Sequence, residues 1–419
     1  MPPHTIALRN LRTRLVSTLL TTLIIALGVG LAIVVVTLSA GLRRGLTTAG
    51  GPFEIVVGPK GSATQLVSSS VLFQDVPLGN LTYAQYEALA ADPRERDALP
   101  IALGDNLNGL RIVGTTPQLF SVAVTPERPP FYQLAAGNVF AADFEAVLGS
   151  AAAERLKLGV GATFESTHGA LSGVNQAEHS DFDYTVSGIL APTGTPADLA
   201  IYVSLSSYWK VHGETRGSIF TPGGAVQDKN LANAPGAATG VTAVLVRGND
   251  LNATYQIYND LNTGSAMQAA LPGAVLSQFL GFLGQGEQLL SLISMLALAM
   301  ALLSMALALY NAALAYRRGI AVMRAIGARR TTIFQIVLFE AFLQAALGGI
   351  AGIALGHVAA SMIAAAINRS SALAVGTTFE PQSELLILAA VLVLGVVAGL
   401  LPAVQAYRVE PVGVMASGA

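Results

Sequence analysis

The residues best suited to chemistry lie in one polar stretch that holds two of the chain's five histidines. Imidazole nitrogens and carboxylate oxygens are common ligands of divalent ions such as Zn²⁺. The stretch offers His168 and His179 together with Glu165, Glu178, Asp181 and Asp183. Their spacing matches no established metal motif. We therefore predict a solvated polar loop without a metal, and a divalent-ion site stays open as the alternative.

Familiar catalytic motifs are absent from the sequence. No Gly-Lys-Ser/Thr follows a spaced glycine, and the segment GPKGSAT at 58–64 has the wrong spacing for a P-loop. The chain also lacks HExxH, GxSxG and CxxC, and it contains no cysteine. We predict that the chain is not an enzyme and binds no cofactor directly.

Glu340 is the acid whose position most needs a physical reason, because it falls about 7 residues inside an apolar stretch. A carboxylate in hydrocarbon is costly unless it faces protein or water. We expect a structural ion pair with an arginine such as Arg14, Arg324 or Arg330. Proton coupling would need a second acid within the apolar stretches, and they contain none.

Four apolar stretches are long enough to cross a bilayer, which takes about 20 residues. They cover residues 15–38, 289–310, 333–358 and 385–404. Only 11% of the chain is charged and the net charge is −2, which excludes an ordinary soluble enzyme and argues against nucleic-acid binding. The first stretch exceeds the roughly 7–15 apolar residues of a signal peptide, so we predict that it is a retained span.

Basic residues predict the orientation of these spans. The loop between the second and third spans is rich in arginine and contains no acid. Its arginines are Arg317, Arg318, Arg324, Arg329 and Arg330. Residues 45–285 carry a net charge of −9 and the remainder carries +7. We predict a multi-pass protein of a bacterial inner (plasma) membrane, with both termini and the arginine loop in the cytoplasm.

The polar region between the first two spans contains segments with strand patterns and segments with helix patterns, which predicts an α+β domain. Strands are predicted in 52–58 and 243–248, and helices in 81–92, where Thr82 is the N-cap, and in 252–264. Segment 144–166 is predicted to form a strand, a short helix, a glycine-rich turn and a second strand, and segment 183–205 to form two strands joined by a Pro/Gly turn. We expect two lobes in this domain.

Small residues repeat every four positions within the spans. The rows are Gly348, Gly352 and Gly356 in the third span, Gly395, Gly399 and Ala403 in the fourth, and Thr22, Ala26 and Gly30 in the first. Such rows let helix backbones approach closely. We predict that spans three and four pack within one subunit, and that span one could meet a second copy.

The predicted organisation is as follows. An amphipathic segment at 1–14 precedes the first span and stalk at 15–44, and the outer domain occupies 45–276. A stalk and the second span follow at 277–316, and the arginine loop covers 317–332. The third span is at 333–367, an outer loop at 368–383, and the fourth span with its tail at 384–419.

Four segments resemble the MacB/FtsX/LolC type of ABC transporter permease. They are IALRNLRTRLVSTLLTTLIIALGVG (6–30), AVLGSAAAERLKLGVGATF (146–164), AYRRGIAVMRAIGARRTTIFQIVLFEAFLQAALGGIAGIALG (315–356) and LPAVQAYRVEPVGVM (401–415). The resemblance implies a permease dimer in the lipid bilayer, each copy paired with a separate cytoplasmic ATPase subunit that binds ATP and Mg²⁺. Nucleotide-driven motion would then reach the outer domain and export or extract an amphiphilic or hydrophobic substrate.

The resemblance also implies roles for residues. Residues 319–328 would form the coupling helix on the ATPase, with Arg324 projecting from it and Ile320, Met323 and Ile326 as apolar contacts. Gly319 stands where the family commonly has an acid, and Glu340 matches a frequent acid, which suggests span packing or transmission. A periplasmic adaptor or substrate-delivery protein is a possible further partner. The alternative function is a signalling complex similar to FtsX, which regulates an envelope hydrolase.

Overall fold

The computed structural model describes residues 2–125, 127–168, 178–212, 240–264, 266–370 and 375–408. The side chains of His168, His179 and Arg317 lie outside this description, as does most of the glycine-rich segment near 221–240. The metal alternative at the two histidines therefore stays a prediction. Within the described ranges, no group of three or more His, Asp or Glu side chains could hold a metal ion.

The helices and strands follow one another in a mixed order. The helices are α1 (Pro3–Thr13), α2 (Leu15–Ala49), α3 (Ala63–Ser70), α4 (Tyr83–Ala90), α5 (Ser150–Leu156), α6 (Leu205–Val211), α7 (Leu251–Thr263), α8 (Pro272–Ala315), α9 (Arg317–Ala325), α10 (Arg330–Ser370) and α11 (Pro381–Tyr407). The strands are β1 (Ile55–Pro59), β2 (Glu95–Leu107), β3 (Leu110–Thr115), β4 (Leu134–Gly137), β5 (Glu145–Leu148), β6 (Thr163–His168), β7 (Glu178–Leu190), β8 (Ile201–Ser204), β9 (Ala243–Gly248) and β10 (Met267–Ala270).

The chain folds into two compact units. The membrane unit contains Met1–Gly41, Leu283–Ala364 and Thr377–Ala419, and the outer unit contains Leu42–Phe282 and Ala365–Gly376. Helices α2, α8, α10 and α11 have the length and hydropathy of membrane spans, which confirms the four-span prediction. The 35-residue α2 and 44-residue α8 are about 52 and 66 Å long at about 1.5 Å per residue. Each therefore continues beyond a hydrocarbon layer about 30 Å thick.

Glycines place α10 directly against α2. A Cβ at Gly352 would lie 2.6 Å from Val29 Cβ, and one at Gly356 would lie 2.6 Å from Ile33 Cβ. A Cβ at Gly30 of α2 would lie 3.3 Å from the Gly352 carbonyl oxygen. The small-residue face of span one is thus used inside the subunit, while Leu20, Leu23 and Leu27 leave another face exposed, so contact of span one with a second copy stays a prediction.

Helix α11 packs on another face of α10. A Cβ at Gly399 would lie 2.6 Å from Ala341 Cβ, and one at Gly395 would meet Ala345. Span three therefore packs against both span one and span four. Its row of Gly348, Gly352 and Gly356 faces span one, and its alanines face span four.

The outer unit is built on a ten-stranded mixed sheet. Its order is β10-β1-β9-β2-β3-β8-β5-β7-β4, with β6 pairing with β2 and β7. Most neighbours are antiparallel, while β3 with β8 and β5 with β7 are parallel. This confirms an α+β domain, and the expected division into two lobes stays a prediction. The largest fully buried side chains include Trp209, Tyr184, Tyr202 and Phe140.

Side-chain caps mark the first residues of two helices in the outer unit. Thr82 caps α4 and forms a capping box with Gln85, whose side chain accepts from the Thr82 backbone N–H. Asp250 caps α7 by accepting from the Ala253 N–H at 2.7 Å. Such caps satisfy N–H groups that a helix leaves unpaired at its start.

Candidate functional site

Helix α9 is a nine-residue helix between two spans. It ends at Ala325, two residues before Gly327, whose φ of +100° is a conformation that favours glycine. The Gly327 N–H donates to the Arg324 carbonyl at 3.1 Å, and the Ala328 N–H donates to the Met323 carbonyl at 3.0 Å. These two bonds form a Schellman motif, which stops the helix and turns the chain toward α10.

One face of α9 is fixed to the membrane unit. Ile320 is 5% exposed and packs in a cluster with side chains of α10 and α11, namely Ile333, Val337, Ala403 and Ala406. Met323 is half-buried against the same cluster. Ile320 therefore holds the helix in place, which corrects its assignment as an apolar contact with the ATPase. Met323 is only partly available for such a contact, because part of its side chain packs on the cluster.

The opposite face of α9 exposes apolar side chains beside arginines. Val322 is 53% exposed and Ile326 is 81% exposed. Arg318, Arg329 and Arg330 are exposed, whereas Arg324, one turn after Ile320 and on the same side of the helix, is half-buried. The Arg330 guanidinium lies 5.8 Å from the centre of the Tyr407 ring of α11, within cation–π range. We call Val322, Ile326 and these described arginines the α9 surface; Val322 was missed from the sequence.

Glu340 pairs with an amide instead of an arginine. The Asn10 Nδ2 of α1 donates to Glu340 Oε1 at 2.6 Å, and Glu340 is only 9% exposed. Arg14 donates through Nη2 to the Ala312 carbonyl at 3.1 Å, and its guanidinium lies 3.9 Å above the Tyr316 ring. The expected ion pair is therefore corrected: Asn10 ties α1 to α10, and Arg14 ties the start of α2 to the end of α8.

A cavity of about 270 Å³ separates these helices. Side chains of α1, α8, α9 and α10 line it, mostly apolar, and both Arg14 and Glu340 reach it. We call it the inner cavity. A cation and an anion therefore face one apolar space in the membrane unit, an arrangement that suits a ligand carrying both charges.

A second buried acid lies at the start of α11, outside the span predicted from sequence. Glu384 is 5% exposed, and its Oε1 lies 3.0 Å from His357 Nε2 of α10. The Glu380 N–H donates to the same oxygen at 3.3 Å. His357 follows Glu340 by 17 residues, about 25 Å along a helix. The two acids are therefore too far apart for direct proton exchange.

The outer unit carries ion pairs that hold its strands and helices. Arg94 contacts Asp92 at 2.7 Å and Asp260 at 2.6 Å, and its hydrogen bond holds the pKa of Asp92 below the ordinary value. Glu95 is different, since both of its carboxylate oxygens are buried and no described residue donates a hydrogen bond to them. Burial, with a smaller effect of Asp92, raises the Glu95 pKa from 4.5 to about 8.

Comparisons with known proteins cover most of the chain. The model of the MacB-like periplasmic core domain matches residues 18–263, and the model of the FtsX-like permease C-terminal domain matches residues 291–411.

Two relatives carry the name macrolide export ATP-binding/permease protein MacB. The protein of Hyphomonas neptunium is 39% identical over 100 residues, which are 24% of this chain and 14% of that protein. The protein of Nitrobacter winogradskyi is 38% identical over 103 residues, 24% of this chain and 15% of that protein. The matched region thus spans about a seventh of the curated relatives' length.

Two solved structures are similar to part of this chain. The periplasmic region of MacB from Actinobacillus actinomycetemcomitans aligns with a TM-score of 0.33 and 10% identity, covering 55% of this chain and 95% of that chain. The extracellular domain of the noncanonic ABC-type transporter YknZ from Gram-positive bacteria aligns with a TM-score of 0.28 and 12% identity, covering 51% of this chain and 98% of that chain.

Proposed function

Because the chain belongs to the family of permeases with a MacB-like periplasmic core and an FtsX-like C-terminal domain, we propose that it is the membrane subunit of an ABC transporter. In this proposal a separate ATPase subunit binds ATP and Mg²⁺ and docks on the α9 surface. Its motion passes through the spans to the outer unit. The two-faced character of α9 is the observation that carries the proposal.

The α9 surface has the composition of a docking site. Val322 and Ile326 expose apolar area beside arginines, and buried apolar centres with a charged rim are typical of protein interfaces. The partner surface would be apolar and acidic. On its other face Ile320 fixes α9 to α10 and α11, so a push on α9 would move both spans with it.

The proposed orientation places α9 in the cytoplasm. Arginines cluster there and acids dominate the outer unit, in agreement with the positive-inside rule. Both termini would then be cytoplasmic, in a bacterial inner membrane. Helices α2 and α8 each contribute residues to both units, which supports them as the elements that transmit motion.

The proposed cargo is an amphiphilic or hydrophobic molecule taken from the outer leaflet or the envelope. The names of the two relatives, which refer to macrolide export, support this class. The close helix contacts of Gly348, Gly352 and Gly356 favour mechanical transmission over a channel through the subunit. We further propose a homodimer, with a periplasmic adaptor or delivery protein as a possible partner.

The FtsX-like match at residues 291–411 also favours a second candidate, a signalling complex whose outer unit regulates an envelope hydrolase. Retention of such a hydrolase by the purified outer unit and complex, with no cargo-dependent ATP hydrolysis, would favour this candidate over transport.

The test of the proposal uses an ATPase subunit identified by co-purification with this chain, reconstituted with the full-length permease in nanodiscs. Burial of a large aliphatic side chain contributes about 1.5–3 kcal/mol, so Ile326→Asp should weaken ATPase binding at least tenfold and remove stimulation of ATP hydrolysis. Arg324→Glu should do the same by charge reversal.

The matched control is Val160→Asp, which changes an exposed valine of the outer unit (50% exposed). It should leave ATPase binding and stimulation unchanged. Full stimulation by both Ile326→Asp and Arg324→Glu would refute docking on the α9 surface. Labelling that places residues 45–285 inside the cell would refute the proposed orientation.

A further inference from the structure

The inner cavity has features of a built binding site that the proposed function does not use. It lies within the membrane unit and has a volume of about 270 Å³, far more than the roughly 30 Å³ share of one water molecule. Its walls are mostly apolar, yet Arg14 and Glu340 both line it. Opposite charges facing one apolar space select for a ligand with both charges and apolar parts.

Glu340 provides the anionic end. It is 9% exposed, and among the residues that the structure describes it takes one hydrogen bond, from Asn10. A carboxylate has about four acceptor positions, and a buried carboxylate is costly until donors or a cation compensate it. A primary ammonium, with three N–H donors, would supply what the single amide does not.

Arg14 provides the cationic end. One of its N–H groups donates to the Ala312 carbonyl, and a guanidinium has five N–H donors, so donors remain for an anion. Arg14 also lines an open depression of about 540 Å³ next to the cavity, together with Ser17 and Asn311. A phosphate group there would meet a guanidinium and further polar side chains.

The open depression continues onto a lipid-facing surface. Leu307 lines it and is 59% exposed, and Leu303 nearby on α8 is 63% exposed. These side chains belong to a membrane span, so acyl chains are the material that covers them. An amphiphile whose head enters the cavity would thus leave its tails in the bilayer.

We propose that the inner cavity binds the headgroup of an aminophospholipid of the phosphatidylethanolamine type. Its ammonium pairs with Glu340, its phosphate with Arg14, and its acyl chains lie along the depression against α8. Anionic phosphatidylglycerol lacks the ammonium, and the quaternary ammonium of phosphatidylcholine cannot donate hydrogen bonds. Gly319, Ile320 and Met323 of α9 also line the cavity, so the bound lipid contacts the helix proposed to meet the ATPase.

The experiment measures lipid retention by the full-length protein. The protein is exchanged into an equimolar mixture of phosphatidylethanolamine, phosphatidylglycerol and phosphatidylcholine, purified in mild detergent and examined by native mass spectrometry. The wild type should retain phosphatidylethanolamine at least fivefold over the other two. Glu340→Gln, which keeps an acceptor for Asn10, should remove this preference, and Arg14→Gln should lower retention of all three.

Two matched controls isolate the cavity. Glu384→Gln changes the other buried acid of the spans, and Arg9→Gln changes an exposed arginine of α1; neither lines the cavity, and both should retain the wild-type preference. Ala313→Phe fills the cavity without changing charge and should abolish retention, which keeps the test decisive if Glu340→Gln fails to fold.

Equal retention of the three lipids by the wild type would overturn the proposal, and so would an unchanged preference in both Glu340→Gln and Ala313→Phe. Displacement of the lipid by millimolar phosphoethanolamine as effectively as by the whole lipid would show that the acyl chains contribute nothing. That result would overturn the lipid assignment.

Discussion

Replacement of Gly352 by alanine tests the close contact between α10 and α2. The new Cβ would lie 2.6 Å from Val29 Cβ and 2.8 Å from the Ala26 carbonyl oxygen. Ordinary contacts begin at 3.4 Å, so the two helices must separate by about 0.8 Å. Overpacking of this kind costs about 1–3 kcal/mol, while alanine gains about 0.8–1.0 kcal/mol over glycine in a helix. We expect a net destabilisation of about 0–2 kcal/mol.

Gly286→Ala is the matched control, because a Cβ there meets nothing within 4 Å. It shares the gain in helix propensity without the clash and should stabilise by about 1 kcal/mol. The difference between the variants is therefore the packing cost alone. At about 2–4 °C per kcal/mol for units of roughly 150–250 residues, Gly352→Ala should melt about 2–12 °C below Gly286→Ala.

The assay is thermal unfolding of the full-length protein, followed by far-UV circular dichroism, which reports the helical membrane unit. The single tryptophan, Trp209, is buried in the outer unit, and its fluorescence reports that unit separately. If Gly352→Ala melts at or above the temperature of Gly286→Ala, the packing of α10 on α2 described here is wrong.

Three further predictions concern α9 and the outer unit. Ile320→Ala should destabilise the protein by about 2–5 kcal/mol because it empties a packed site, whereas Val322→Ala on the exposed face should change the melting temperature little. Glu95 binds an extra proton in the folded state between pH 4.5 and about 8, so the free energy of unfolding should decrease as the pH rises through this window. Glu95→Gln should flatten this pH dependence of the melting temperature. The same pH dependence in Glu95→Gln and wild type would contradict the prediction. Asp250→Ala removes a helix cap and should cost about 1 kcal/mol, measured by Trp209 fluorescence in urea.

The predicted elements were most accurate where the signal is local. Thr82 and Gln85 lie three residues apart and cap α4 as a pair, so the sequence contains the whole interaction. The four spans follow from runs of apolar residues that are long enough to cross the hydrocarbon of a bilayer as helices. Segment 144–166 likewise gave β5, α5 and β6 in order.

Contacts between distant residues were not predictable in the same way. Asn10 and Glu340 are 330 positions apart, and an arginine was the more obvious partner by charge. The sheet order is similar: β7 and β8 are consecutive strands, yet each pairs with β5 and not with the other. Pairings of this kind depend on how whole elements pack, because nothing local in the sequence specifies the neighbour.

By itself, the sequence determined the number of spans, the large α+β insertion between the first two, and the arginine-rich segment after the second. Only the tertiary structure decided that Ile320 faces inward and Val322 outward, and that the glycines of span three face span one. The physical reason is that hydrophobicity and helical periodicity identify the faces of a helix. They do not identify the surface that each face meets, since that depends on the side-chain shapes of another helix far away in the chain.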